Sequence, residues 1–508
     1  MVEETFKARS MKQSFDWKLV LIYLLLVLIG FVNIYASIHS SEPDGILSWT
    51  SRSGKQFVWI LTAFGLAGLI VFVLPPRIWE SAAIPLYIGV LFLLVAVIFL
   101  GVEVKGSRSW FEFGPVRFQP AEVSKITTSL LLAYVMSRPN FRITKFKDFL
   151  TVAAVIGLPM LVILGESETG SALVYVGFIF MLYREGLSGW FLTVIGLAIL
   201  IFILTLTASP YTAILTLTGL ILIANVFHGD RAGRFLLWGG LYVLLMAFFP
   251  RIWNLVREML IPGAGLIGSV DPSVELSILR ASSWTFLLKI KPLYILIASG
   301  LVAIPFLLAA AYRHKSKFLF LSVLGWLAGV VMVFSADFIF NDILQDHQRK
   351  RIEVLLGMKE DPAGVGYNVN QSMIAIGSGG LTGKGFLNGT QTTYGFVPEQ
   401  STDFIFCTVG EEWAFAGCLV VIVLYVMLIW RILLDAERSR EHFTRIYGYC
   451  VASCLFMHLF INIGMTIGLM PVIGIPLPMM SYGGSSLWAF TVLIFIFVVL
   501  DHEEKKYF

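Results

Sequence analysis

The run VLIYLLLVLIGFVNIYA, Val20–Ala36, decides the class of fold. It holds no Asp, Glu, Lys or Arg, and it follows Lys7, Arg9, Lys12 and Lys18. A signal peptide has the same plan, but equivalent apolar runs recur almost to the C-terminus, so the run reads as a retained first membrane span. The 508-residue chain is 57% hydrophobic and 14% charged, with a mean hydropathy of +0.82. Such a composition excludes a soluble domain, where roughly 25% of residues are charged. Lys and Arg number 37 against 33 Asp and Glu, so a nucleic-acid partner has no compositional support. Cys407, Cys418, Cys450 and Cys454 form no C-x-x-C pair, and neither a disulfide framework nor a zinc site is expected.

Runs long enough to cross a ~30 Å hydrocarbon core predict an all-α polytopic protein of about 14 spans. The first nine fall near Lys18–Ser37, Phe57–Leu74, Ile84–Gly101, Gln119–Ser137, Phe149–Gly165, Thr169–Tyr183, Trp190–Leu206, Tyr211–Phe227 and Phe235–Phe249. The others fall near Leu293–Tyr312, Phe318–Phe338, Phe404–Trp430, Tyr447–Ile467 and Leu487–Leu500. Most short-loop Lys and Arg collect in alternate loops, which predicts both termini in the cytoplasm. Two groups run against that tendency: Lys105, Arg108, Arg117 and Lys125, and Arg349, Lys350, Arg351, Lys359 and Lys384. Either these are solvated loops, or the cations meet an anionic ligand such as a phosphate or diphosphate on the outer face.

The stretch between Phe338 and Phe404 is too long for a simple connection. Its Gly377-Ser378-Gly379-Gly380-Leu381-Thr382-Gly383-Lys384-Gly385 is not a phosphate-binding P-loop, which would need Gly in place of Ser378 and Ser or Thr in place of Gly385. A tight backbone fold is the better reading. Downstream, Pro398-Glu399-Gln400-Ser401-Thr402-Asp403-Phe404 brings a carboxylate to the mouth of a helix, where spacing alone leaves capping and catalysis open for Asp403. Glu122 and Lys125, three residues apart on one helix face, form either a mutual ion pair or a polar cavity wall with Arg117, Glu166, Glu168 and Asp403. The last loop, read as Asn462–Met465, Gly468–Pro478 and Ser481–Ser486, is broken by Pro471, Pro476 and Pro478 and by repeated glycines, so it must be buried in protein or line a cavity. Ser481 lacks the frame of a serine nucleophile.

These motifs resemble the SEDS family (shape, elongation, division, sporulation), and within it the RodA-like, rod-shape branch. The resemblance lies in Leu74-Pro75-Pro76-Arg77, Arg117-Phe118-Gln119-Pro120-Ala121-Glu122-Val123-Ser124-Lys125 and Gln348-Arg349-Lys350-Arg351. It continues in Gln371-Ser372-Met373-Ile374-Ala375-Ile376-Gly377-Ser378-Gly379-Gly380, in Pro398-Glu399 with Thr402-Asp403-Phe404, and in Pro471–Ser485. Glu168 stands where the family has Asp, and Ser401 where it has His. The resemblance implies a ten-span core in two halves, residues 1–187 and 340–508, with residues 188–339 an inserted block of about four more spans, an estimate from span length.

It also implies a peptidoglycan glycosyltransferase that polymerises lipid II at the outer face of the bacterial plasma membrane during elongation. Asp403 would be the general base. Arg117, Gln119, Glu122, Lys125, Glu168, Gln371, Ser378, Lys384, Thr402 and Ser481 would be substrate-binding candidates, with Arg117, Lys125 and Lys384 first in line for the diphosphate. A divalent cation, Mg or Mn, could share that work, although no metal cluster stands out in the sequence. The implied partners are lipid II, the nascent glycan strand, membrane lipid, a class B penicillin-binding protein transpeptidase and other elongation-complex membrane proteins. A lipid-linked precursor transporter and a non-catalytic scaffold are the competing readings.

Overall fold

A computed structural model describes residues 15–39, 45–104, 106–114, 116–228, 232–260, 290–344, 346–358 and 366–507. Lys7, Arg9, Lys12, Lys105 and Lys359 lie outside them. The chain divides into two compact units, Met1–Gly189 with Glu360–Phe508, and Trp190–Lys359.

The first unit opens with α1 (Trp17–Ile38), α2 (Arg52–Phe72) and α3 (Arg77–Leu100). Asp16 starts α1 by accepting from the amides of Lys18 and Leu19 at 3.1 and 3.3 Å, and Ser51 does the same for α2 through Gly54. Between α3 and α4 (Pro120–Met136) the chain forms an antiparallel sheet, β1 (Val102–Val104), β2 (Ser107–Phe113) and β3 (Val116–Phe118), where the sequence reads as a loop. Then come α5 (Phe146–Gly165) and two short helices, α6 (Thr169–Val176) and α7 (Phe178–Arg184), which meet at Gly177.

The second unit contains α8 (Trp190–Thr207), α9 (Pro210–His228), α10 (Ala232–Leu260), α11 (Pro292–Arg313), α12 (Lys317–Phe338), a π-turn and α13 (Asp346–Leu355). Its small core gathers Ile201, Ile214, Leu217, Leu296, Trp326 and Val333. The first unit resumes with α14 (Tyr367–Gly379), α15 (Thr390–Thr393), α16 (Ile405–Glu412), α17 (Ala414–Arg438), α18 (His442–Thr466) and α19 (Gly484–Tyr507).

Helix burial sorts this unit into centre and rim. The apolar stretches of α18 and α19 are 83% and 78% buried, against 28% for α2 and 22% for α5. Nearly all of α4 is buried too, against α3, α18 and α19. Lipid therefore meets the rim, and α4, α18 and α19 form the shaft that carries the polar groups.

Among the described residues 12 helices are long and apolar enough to span a membrane, not the expected 14 or so. The other two expected spans are α4, only 17 residues long, and the interrupted pair α6 and α7. A further correction concerns the span expected at Phe404–Trp430. Helix α16 ends at Glu412, Ala414 takes φ +55°, and the spanning helix is α17. The break is held by the Gly-rich stretch, whose Lys384 and Gly385 amides donate to the carbonyls of Glu411 and Glu412 at 3.2 and 3.1 Å, while the Phe415 amide donates to Gly380. Carbonyls released by the broken helix are thus satisfied from the loop.

Gly383 permits this contact. It has φ +84°, and an added Cβ would lie 2.1 Å from the Glu412 carbonyl oxygen. Gly383→Ala is expected to destabilise the protein by about 1–3 kcal/mol. Gly68→Ala, on a helix with open space around it, should leave the melting temperature in detergent nearly unchanged. Equal melting of the two variants would disprove the tight contact.

Candidate active site

Asp403 is half-buried at the end of a turn that the backbone closes on itself. The amides of Thr402 and Phe404 donate to the Glu399 carbonyl at 3.1 and 3.2 Å, and Glu399 takes φ +53°. Phe404 anchors the turn by burying its ring with Ala375, Val397 and Cys407. It occupies the N-cap position of α16 but supplies no side-chain cap, so capping falls one residue past the acid.

The proline-broken loop after α18 wraps the same turn. The Tyr482 amide donates to the Ser401 carbonyl at 2.8 Å, and Ser481 Oγ donates to the Thr402 carbonyl at 2.5 Å while accepting from the Leu477 amide at 2.8 Å. Asn462 Nδ2, on α18, donates to the carbonyls of Asp403 and Ile475 at 2.8 and 2.7 Å. Gly474, at φ +76°, leaves room for the acid: a Cβ there would lie 3.3 Å from Asp403 Oδ2. From α1 and α2, the Ser37 carbonyl accepts from Gln400 Nε2, and Arg52 Nη1 donates to Ser401 Oγ at 3.0 Å. Four segments, α1, α2, α18 and the loop after it, therefore hold the turn that carries Asp403. A cleft of about 650 Å³ lies beside the turn, lined by residues of α1 and α2 and by Thr393–Ser401.

Glu122 and Lys125 are both 2% exposed and pair at 2.8 Å. The ammonium also meets His458 Nε2 at 2.8 Å and lies 5.1 Å from the centre of the Phe490 ring. His458 Nδ1 is 3.1 Å from the Pro476 carbonyl, so Nδ1 carries the hydrogen and Nε2 accepts from the lysine. One turn further along α18 stands Asn462, so His458 and Asn462 on one helix face link the ion pair to the loop at Asp403. The cavity-wall alternative for Glu122 and Lys125 is not what this packing presents. Nearby, Glu168 accepts from Gln119 Nε2 and from Ser171 Oγ, the latter at 2.6 Å.

The other candidate cations are also engaged. Arg117, 57% exposed on β3, stands opposite Glu112 on β2 and pairs with it at 3.2 Å. Lys384 donates to Glu411 Oε1 and to Thr390 Oγ1, both at 2.6 Å. Glu411 is buried and also accepts from the amides of Thr390, Gln391 and Thr392 at 2.7–2.8 Å. Burial alone would raise this carboxyl, but Lys384 and the amides outweigh it and hold it at about 2. The Gly-rich stretch is therefore an internal clasp around a carboxylate. Ser378 Oγ turns back to the Ala375 carbonyl at 2.8 Å, Gln371 is half-buried on α14, and Thr402 Oγ1 donates to Glu399 Oε2 at 3.0 Å.

Asp403, Thr402 and Ser481 thus share one cluster, and Gln119 and Glu168 share another with Ser171. Arg117, Ser378 and Lys384 serve local contacts of their own. Sequence reasoning misses Arg52, Glu411 and His458, and it reads Asn462 into the last loop, whereas Asn462 lies within α18; only the i, i+4 spacing of His458 and Asn462 on an otherwise apolar helix could have flagged that pair. Among the described residues no three His, Cys, Asp or Glu side chains converge on a metal site.

The family model described as cell cycle protein, that of FtsW, RodA and SpoVE, matches residues 16–227 and 273–506. The chain belongs to this family. The residues passed over, 228–272, fall within the block at 188–339. The chain is 30% identical over 466 residues to the peptidoglycan glycosyltransferase MrdB of Escherichia coli (strain K12), covering 91% of this chain and 88% of that protein. It is 29% identical over 484 residues to the peptidoglycan glycosyltransferase RodA of Treponema pallidum (strain Nichols), covering 94% of each. A solved peptidoglycan synthase complex that coordinates polymerization and crosslinking contains a chain of the same fold, with a TM-score of 0.56 at 23% identity over 97% of this chain and 98% of that one. The protein is a multi-pass membrane protein.

Glu166, in the connection between α5 and α6, has both carboxyl oxygens buried without a hydrogen-bond partner. Burial, reinforced by repulsion from Glu168, pushes it up to about 9. An unfolded glutamate titrates near 4.3, about the reference value. The folded state thus gains from protonation: that contribution is complete below the unfolded value and is lost as the pH rises through about 9. The melting temperature should fall between pH 6 and 9, and Glu166→Gln should flatten that fall. Parallel melting curves for the two proteins would refute the assignment.

Proposed function

We propose that the chain is a peptidoglycan glycosyltransferase that polymerises lipid II into glycan strands at the outer face of the bacterial plasma membrane during cell elongation. The observation that carries the reading is Asp403, a half-buried carboxylate whose backbone is held by Asn462, Ser481 and Tyr482 at the motif that resembles the family's essential aspartate. Asp403 takes the proton of the 4-hydroxyl of the acceptor GlcNAc. The hydroxyl oxygen attacks C1 of the donor MurNAc, the bond from C1 to the undecaprenyl diphosphate breaks, and the configuration at C1 inverts. The bonding pair leaves with the diphosphate oxygen.

The distribution of Lys and Arg supports cytoplasmic termini and an outward-facing Asp403. A class B penicillin-binding protein transpeptidase is the partner this activity calls for, since uncrosslinked strands make no wall; other membrane proteins of the elongation complex would join it. Closure of the Glu122–Lys125 pair favours polymerisation over a translocation path built on those residues.

Purified protein with purified lipid II should yield glycan strands, and Asp403→Asn should reduce the rate by about 10²–10⁴-fold without changing the melting temperature. A folded Asp403→Asn protein that polymerises at the parental rate would end the general-base assignment.

A further inference from the structure

In the loop between α18 and α19, three carbonyls are each met by a buried side chain. The Ile475 carbonyl accepts from Asn462 Nδ2 at 2.7 Å, the Pro476 carbonyl from His458 Nδ1 at 3.1 Å, and the Pro478 carbonyl from the Tyr425 hydroxyl. Pro476 and Pro478 have no amide hydrogen to give, so the loop cannot close a helical ladder and these three donors hold its course. Between the two prolines the Leu477 amide donates to Ser481 Oγ, whose hydroxyl donates to the Thr402 carbonyl. Asn462 donates to the Asp403 carbonyl as well. Residues 475–477 thus share their partners with the carbonyls on either side of the Asp403 α-carbon.

This loop has little slack. A Cβ added to Gly170 of α6 would lie 2.9 Å from Ile475 Cγ1, and one added to Gly474 would lie 3.3 Å from Asp403 Oδ2. A close-packed interior transmits displacement, so a shift of the Pro476 peptide is passed on to the acid. Of the three donors, His458 is the one that also meets an ion pair: its Nε2 accepts from Lys125 Nζ at 2.8 Å, and Lys125 pairs with Glu122 at 2.8 Å. The imidazole is 1% exposed and stands edge-on to Phe490, with ring centres 4.8 Å apart and planes at 87°. A neutral ring with its hydrogen on Nδ1 serves both neighbours, because one nitrogen donates while the other accepts.

We propose that His458 is a positioning residue for glycosyl transfer: through the Pro476 carbonyl it holds the backbone that carries Asp403, and through Nε2 it ties that backbone to the Glu122–Lys125 pair on α4. The inference rests on the glycosyltransferase reading for the reaction that is served, but not for the brace itself.

The test uses the full chain in detergent or nanodiscs, with lipid II as substrate and hydrogen–deuterium exchange as a readout independent of turnover. His458→Phe keeps a ring against Phe490 and removes both polar contacts. It should lower kcat by about 10–100-fold, the range for a reacting group misplaced by up to about 1 Å, and change the KM for lipid II by less than about 2-fold. His458→Gln keeps one donor and one acceptor, so it should bring kcat back to within about 5-fold of the parent. Exchange at the Leu477 and Tyr482 amides, which donate to Ser481 Oγ and the Ser401 carbonyl, should rise in His458→Phe and stay near parental in His458→Gln. Tyr447→Phe removes a buried bond to the Leu493 carbonyl about three turns away along α18, and it should alter neither kcat nor that exchange.

A parental kcat in a His458→Phe protein that melts like its parent would overturn the proposal. So would a loss confined to KM, an equal loss in His458→Gln, or unchanged exchange at Leu477 and Tyr482. If His458→Phe melts lower, His458→Met and His458→Gln are compared at the same interval below each melting temperature. Faster exchange of His458→Met confined to the loop supports the brace, and faster exchange throughout α18 overturns it. If the parent makes no polymer while exchange in the loop still depends on His458, the glycosyltransferase reading fails and the brace stands.

Discussion

Asn462 makes the bond on which the rest of the site depends. Its amide group bridges the Asp403 carbonyl to the Ile475 carbonyl, tying the acid's turn to a loop that cannot be helical because of Pro471, Pro476 and Pro478. Broken backbone in a membrane protein is tolerable only when its polar groups find partners, since an unpaired buried group costs about 1–3 kcal/mol. Ser481, Tyr482 and Leu477 complete that requirement on the loop side, and Gln400 and Ser401 on the side of α1 and α2. The main chain that bears the carboxylate is consequently fixed, which sets where that side chain begins.

Several buried charges in this unit meet an opposite charge or several amides. Glu122 has Lys125, Glu411 has Lys384 and three amides, and Asp16 has Arg431 at 2.6 Å. Such pairs are poor stabilisers but are strongly destabilising to break, so they act as registration pins between helices. Here the first joins α4 to α18 through His458, the second joins the Gly-rich stretch to α16, and the third joins the start of α1 to α17. Residues that look like ligand donors in a list of cations turn out to be such pins.

Much of the architecture is legible in the sequence because lipid imposes length and hydropathy directly: α1 and α5 begin and end close to their apolar runs. The break after α16 is not, because Phe404 to Trp430 reads as one span and only tertiary contact with Gly383–Gly385 reveals its interruption. The sheet at Val102–Phe118 escapes for a related reason: its strands are short, and Gly106 and Gly114 read equally well as loop. Asp403 is visible because an acid at a helix mouth stands out in an apolar chain. The contact of Arg52 is invisible because a basic residue at the start of a span is ordinary and its partner, Ser401, lies 349 residues away.

The second unit clarifies by contrast where chemistry resides. Among its described residues, the long helices α8 to α12 bury Thr205 and Asn225 but no ionised side chain. They are joined by hydroxyl and amide contacts, Trp326 to Thr218 at 3.0 Å, Asn225 to Ser322 at 2.9 Å and Tyr242 with Ser299 at 2.8 Å. Interhelical bonds of this kind contribute about 0.6 kcal/mol each on average, enough to select a packing but not to position a reacting group. An intramembrane charge costs about 2.5–3.5 kcal/mol to insert and is retained where it does something that a neutral residue cannot. The unit that bears Asp403 accepts that penalty in buried pairs such as Glu122 with Lys125, whereas the described charged side chains of α8 to α12, Arg251 and Asp337 among them, lie exposed.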